Sequence, residues 1–312
     1  MSDTEGVLDP WVAEFFAANP MPGRGDGELS PEMLELGRGP VGPPSTRDIP
    51  RITDDEVDGI PIRVYEHDGA PTGLIVYLHG GGWSIGSIGM MDNVAREFAH
   101  CSGAAVVSVG YRLAPEDPYP AGLDDCDHVT RWALDNAGRW GASSDRVAIA
   151  GESAGGNLAA AVALRRRDRG EMPLAAQVLI YPVLDTGSAA HASRTEFAGL
   201  VLSSSAMERT WTTYAGGRDI ERDPYAAPLC ADNMSGLPRT LVVVGGCDPL
   251  RDEGRLYAER LRDAGVDAED VCCAGQPHGF VNLMFPAAAE VFDRIGAWLG
   301  DVFESSPESA SA

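Results

Sequence analysis

From Ile60 to Leu299 the sequence alternates short apolar runs with longer amphipathic ones. The runs Ile60 to Glu66, Leu74 to Leu78, Ala104 to Val109, Arg146 to Ala150, Val178 to Tyr181, Leu241 to Val244 and Asp267 to Cys272 read as strands, the earliest of them open to antiparallel pairing. Between most of them, "GMMDNVAREFAHCSG", "AGLDDCDHVTRWALDNA", "RDEGRLYAERLRDAG" and "AAAEVFDRIGAWLG" each carry an apolar stripe at helical spacing. Strands buried on both faces and helices with one apolar side satisfy each other in an α/β fold, a mainly parallel sheet covered by helices. With 312 residues and no internal repeat, one such domain with insertions accommodates the chain.

The alternation is sharpest at "RVAIAGESAGGNLAAAVAL", Arg146 to Leu164. Val147 to Ala150 predicts a buried strand and Ala154 to Leu164 a helix, so Ser153 falls on the turn between them. Gly151 and Gly155 flank it at two residues on either side, removing the Cβ atoms that would clash where strand and helix approach. Gly-x-Ser-x-Gly in this setting predicts a nucleophile elbow, which holds a hydroxyl clear of the sheet at a helix N-terminus. A tight turn capped by its serine remains the alternative until partners are found.

Ligands of open α/β sheets gather at the carboxyl ends of the strands, so partners are sought just after each apolar run. "HGGGW" follows "LIVYL"; its Gly80, Gly81 and Gly82 allow close backbone approach and inward N–H groups, as an oxyanion hole requires. The donors expected are the amides of Gly81, Gly82 and Ala154, with His79 organising the loop. Asp248 follows "LVVV", where a carboxylate needs a partner; Asp252 and Glu253 are rivals, but they open the next helix, where acidic residues complement its dipole. Of six histidines only His278, in "GQPHGF", lies beyond Asp248. The order Ser153, Asp248, His278 is that of α/β-hydrolases, with His278 as base and then acid and Asp248 orienting its imidazole.

Composition narrows the alternatives. The net charge is −23 and all 24 basic residues are arginine, which excludes a lysine nucleophile, a Schiff base and a phosphate-loop lysine. So acidic a chain disfavours nucleic acid and anionic membranes as partners, and no apolar run approaches the roughly 20 residues that span a bilayer. The six cysteines show no metal-site spacing, so no metal is expected. They read as thiols in a reducing compartment, and with an acidic opening segment unlike a signal peptide they point to the cytoplasm. Cys272 and Cys273 should face opposite ways on their strand, and Cys247, beside the candidate acid, would slow the enzyme on modification if a bulky reagent reaches it.

Taken together, "HGGGW", "YRLAPE", "GESAGG", "DPLRDEG" and "HGF", in this order, resemble the hormone-sensitive-lipase family of α/β-hydrolases, the bacterial family IV esterases, from about Ile60 to Leu299. The family's elbow usually reads Gly-Asp-Ser-Ala-Gly, whereas this chain has Glu152, a longer side chain of the same charge. The resemblance implies a helical cap, no cofactor or metal, a small-molecule ester substrate and carboxylic ester hydrolysis by a serine esterase; membership also allows a homodimer. Amide hydrolysis or deacetylation by the same triad stays open, as does a non-catalytic small-molecule receptor, against which the retained His278 stands. Within "YRLAPE", Arg112 and Glu116 are expected to pair.

Residues 1–47 are assigned to an N-terminal cap segment, 48–304 to the catalytic domain with a cap insertion at about 186–226, and 305–312 to a flexible tail. "VLDPWVAEFFAANP" predicts a helix capped by Asp9 with Pro10 at its first position, and "SPEMLELG" a second, capped by Ser30 and ended by Gly37. Leu8, Trp11, Val12, Phe15 and Phe16 form an apolar stripe. Through links at Gly23 to Gly27 and Gly37 to Pro44 it is expected to fold back over the strand ends and meet Met207, Trp211 and Tyr214. Trp11, Phe15, Trp83, Met207, Trp211 and Tyr214 would then line the substrate pocket and favour short to medium acyl chains.

Overall fold

The computed structural model describes residues 5–19, 30–40, 42, 44–45, 47–187 and 191–306. The link expected at Gly23 to Gly27 lies outside these residues, as does the tail expected at 305–312 from 307 onward; Ser305 is not tail but the last residue of the helix Pro286–Ser305. Eight strands form one sheet: β1 Arg51–Val57, β2 Ile60–Glu66, β3 Leu74–Leu78, β4 Ala105–Val109, β5 Val147–Glu152, β6 Ala176–Ile180, β7 Arg239–Gly245 and β8 Ala268–Cys273. Their order is β1-β2-β4-β3-β5-β6-β7-β8. β2 runs antiparallel to both β1 and β4, and every pair from β4 to β8 is parallel. The sheet is therefore mainly parallel, as the alternation predicted.

β1 is the strand that the apolar pattern did not reveal, because "RITDDEV" is charged and, at the sheet edge, nearly all exposed. The signal that carries it is the two-residue turn Asp58-Gly59, in which both residues have positive φ, 49° and 86°. Asp-Gly is the pair that such a hairpin turn favours.

Alternate residues along the strands feed two cores. Leu74, Val76 and Leu78 of β3 enter one with α4 (Ala121–Asn136), α5 (Ala154–Asp168) and α8 (Arg251–Asp263); Ile75 and Tyr77 enter the other with α3 (Asp92–Ser102) and α9 (Pro286–Ser305). Cys272 packs against the first core and Cys273 against the second, so these thiols do face opposite ways. α5 is buried almost all round from Ala154 to Arg166, which its run of alanines permits by leaving its neighbours room to close in.

The remaining helices are short. α1 (Pro10–Ala18) is capped by Asp9, whose carboxylate accepts from the amides of Trp11 and Val12, and α2 (Pro31–Gly37) by Ser30. α6 (Ala192–Glu196) and α7 (Ser204–Ala215) occupy the interval between β6 and β7. The ring contacts of α1 beyond its own helix go to Phe285. Val12, 1% exposed, enters the α3–α9 core, while the rings of Trp11, Phe15 and Phe16 surround Phe285, with centroids 5.0, 4.9 and 6.1 Å away. The apolar stripe therefore packs on the body, because Phe285 offers it a buried ring to close against.

Candidate active site

At the end of β5 the chain turns so tightly that a Cβ on Gly151 would stand 2.4 Å from the carbonyl carbon of Gly155, and one on Gly155 only 2.0 Å from the Leu78 carbonyl oxygen. Glycine is required at both places. Ser153 between them takes φ 56° and ψ −119°, a strained conformation for a residue with a side chain. Its amide donates to the Ile180 carbonyl at 2.9 Å, and α5 begins at Ala154, whose N–H points out of the first helical turn.

Two distant loops bring partners to this serine. The Ser153 hydroxyl lies 2.9 Å from His278 Nε2, and His278 Nδ1 lies 2.8 Å from Asp248 Oδ2. An ionised carboxylate only accepts, so Nδ1 carries the proton and donates it to Asp248, leaving Nε2 to accept from the serine. Asp248 is wholly buried, and its other oxygen accepts from the Leu250 amide at 2.8 Å. His278 packs its ring against Tyr181 at 4.7 Å between centroids. The rival acids are engaged elsewhere: Asp252 accepts from the Ser193 amide at 2.8 Å, and Glu253 from the Leu184 amide at 2.7 Å and from Arg194. Cys247 is 2% exposed and burial pushes its thiol up to about 11, so the expected sensitivity to a bulky reagent has no route.

The loop after β3 faces the elbow. Gly81 and Gly82 have φ of 121° and 59°, and among the described residues neither amide has a hydrogen-bond partner. His79 beneath them is buried; its Nδ1 lies 2.8 Å from the Gly80 carbonyl, and its ring stacks on Tyr111 at 4.4 Å. Burial brings His79 down to about 4, so it stays neutral and organises this loop. Trp83, 2% exposed, stacks on Tyr214 at 4.1 Å and meets Trp211 at 4.6 Å, and a Cβ on Gly82 would stand 2.7 Å from Thr210 Cγ2. α7 thus lies directly on the glycine loop; Met207, one turn earlier, is half-buried.

Arg112 and Glu116 do not pair. Four-residue spacing brings side chains together only on a helix, and this segment is a loop. Arg112 turns to α4, where its Nη2 donates to Asp125 at 2.6 Å, and Glu116 turns outward to Arg38 at 2.8 Å. Arg38 was not legible as part of the site: it also donates to the carbonyls of Ser84 and Ala114, both at 2.8 Å, and so fastens the end of α2 to the glycine loop. Asn282 was missed as well. Lying four residues after His278, it donates from Nδ2 to Glu152 Oε1 at 3.1 Å and accepts from Tyr181, contacts that no spacing rule announces.

A serine, imidazole and buried carboxylate in line beside a loop of unengaged amides form a nucleophilic hydrolase site. The family model described as alpha/beta hydrolase fold matches residues 75–282. The carboxylesterase NlhH of Mycobacterium tuberculosis is 41% identical over 77% of each chain, and the esterase LipI of the same organism 35% identical over 94% of each. The chain belongs to the hormone-sensitive-lipase family of α/β-hydrolases. It is a carboxylic ester hydrolase. The solved structure of the hyperthermophilic esterase from Pyrobaculum calidifontis superposes on this esterase with a TM-score of 0.85 at 36% identity, covering 94% of this chain and 98% of that one. No described helix of the esterase is long and apolar enough to cross a membrane.

Proposed function

We propose that this esterase hydrolyses short- to medium-chain acyl esters through an acyl-enzyme on Ser153. The observation that carries the reading is the unbroken line from the Ser153 hydroxyl through His278 to Asp248, 2.9 and 2.8 Å long. In acylation Ser153 attacks the ester carbonyl as its proton passes to His278 Nε2, and Asp248 supports the imidazolium formed. The negative charge on the former carbonyl oxygen is met by the amides of Gly81, Gly82 and Ala154, each worth about 3 kcal/mol by the usual mutational measure. His278 then protonates the departing alcohol, takes a proton from water, and returns it to Ser153 as the acid leaves.

The short acyl preference is supported by α7, seated against Gly82 with Trp83, Trp211 and Tyr214 packed as one block. Residues 1–47 and the 186–226 insertion together form the cap, the second seated on this block and the first on Phe285; they come close at Gly6, where an added Cβ would stand 3.3 Å from the Phe197 ring. Six unpaired thiols favour a reducing compartment, and we assign the esterase to the cytoplasm. A panel of aryl esters and anilides of graded acyl length tests the reading. The expected outcome is ester turnover that falls with chain length and exceeds anilide turnover, and a loss of several orders of magnitude in Ser153→Ala. Asp248→Asn should lower kcat far more than Asp252→Asn. Ester turnover by a folded Ser153→Ala protein equal to wild type would sink the assignment.

A further inference from the structure

Glu152, immediately before the nucleophile, is wholly buried and is used by neither proton transfer nor oxyanion binding. Its Oε1 accepts from the Gly80 amide at 2.6 Å and from Asn282 Nδ2 at 3.1 Å. Gly80 opens the oxyanion loop, and a Cβ there would stand 3.1 Å from this same oxygen, so only glycine lets the loop come so near. Asn282 belongs to the loop of His278 and also receives the Tyr181 hydroxyl, whose ring packs on the imidazole. One carboxylate oxygen thus joins the nucleophile strand, the oxyanion loop and the histidine loop.

We propose that Glu152 is a positioning residue whose ionised carboxylate holds the oxyanion loop and the histidine loop in register with Ser153, so that kcat follows its charge. The inference rests on the hydrolytic reading of Ser153 and His278 given above. Hydrogen bonds to an ionised acceptor are roughly twice as strong as those to a neutral one, so protonating Glu152 loosens both loops without removing any atom. The groups that face it are the Tyr77 phenol from β3, Tyr111 after β4 and Tyr181 after β6; His79 lies beside Gly80, and Asp248 and His278 lie beyond Tyr181. Among the described residues its Oε2 has no hydrogen-bond partner. Burial, only partly offset by the hydrogen bonds from Gly80 and Asn282, pushes Glu152 up to about 7. The carboxylate therefore changes charge in the range where an esterase works.

The test is kcat and KM for an aryl ester from pH 5 to 9 in the wild type, Glu152→Gln and Glu152→Asp. The neutral amide of Glu152→Gln mimics the protonated acid. Its kcat should fall on the order of tenfold below wild type at pH 8 to 9, with KM little changed, and the two should converge as pH drops to about 5.5. Glu152→Asp keeps the charge and should keep the wild-type shape of the profile at reduced kcat. A wild-type to Glu152→Gln ratio that stays constant with pH overturns the proposal, because a merely structural role would give that result. If Glu152→Gln does not fold, the wild-type acid limb decides: two ionisations support the proposal, one overturns it. Absence of ester turnover in the wild type, or its survival in Ser153→Ala, would instead defeat the hydrolytic reading itself.

Discussion

Two aromatic groups flank the active site of this esterase, and they hold different things. Trp83, Trp211 and Tyr214 belong to the core shared with α4, α5 and α8, and they fix α7 on the glycine loop after β3. Phe285 belongs to the opposite core, where it receives Trp11, Phe15 and Phe16 of α1 just beyond the His278 loop. Both groups were expected to form one roof. They belong instead to different cores, one beside the glycine loop after β3 and the other beside the loop that carries His278. Two separate cores thus brace the glycine loop and the His278 loop, and Glu152 bonds to both, through Gly80 and Asn282.

The division can be broken first at its most buried ring. Trp83→Ala removes a 2% exposed indole from its stack and should destabilise by about 3–5 kcal/mol, lowering kcat as the oxyanion loop loosens. Phe285→Ala, also 2% exposed, should cost about 3 kcal/mol and act through the histidine loop. Thermal unfolding of the double variant sharpens the point: if the groups are independent, the losses add to within about 0.5 kcal/mol. A strong departure from additivity would return them to a single roof.

The bridge between the arms should respond to pH in the opposite sense to a salt bridge. Glu152 has its proton affinity raised in the folded state, from the ordinary 4.5 to about 7, so folding favours its protonated form. Stability is then lost as pH rises through this window and is fully present below it. At about 1.4 kcal/mol per pH unit, ionisation costs the fold no more than on the order of 3 kcal/mol. Glu152→Gln should therefore unfold at a higher temperature than wild type at pH 8, with the gain gone below pH 4.5. A gain independent of pH would mean that folding leaves the proton affinity of this carboxylate unshifted.

The smallest effect is expected at the rim. Trp11 is 44% exposed, so Trp11→Ala should cost about 1 kcal/mol or less. Its effect on kcat/KM across acyl lengths should nevertheless exceed that of any stability loss, if the ring borders the bound ester. An unchanged acyl preference would leave α1 as a brace for Phe285 alone.

The amino-acid sequence by itself determined the sheet, the elbow and the chain order of Ser153, Asp248 and His278. Those features rest on short-range rules: apolar runs of strand length, glycines where Cβ atoms would stand within 2.4 Å of backbone, and functional residues directly after strands. Strand β1 was hidden because an edge strand need not be apolar, though Asp58-Gly59 marked its turn. Only the tertiary structure decided that Arg112 meets Asp125, that Arg38 clamps the glycine loop, and that α1 packs on Phe285. It also decided that Glu152 and Asn282, 130 residues apart, share one hydrogen bond beside the nucleophile. Contacts between loops so distant in the chain leave no period or spacing behind, because what selects them is the space that remains once the sheet has closed.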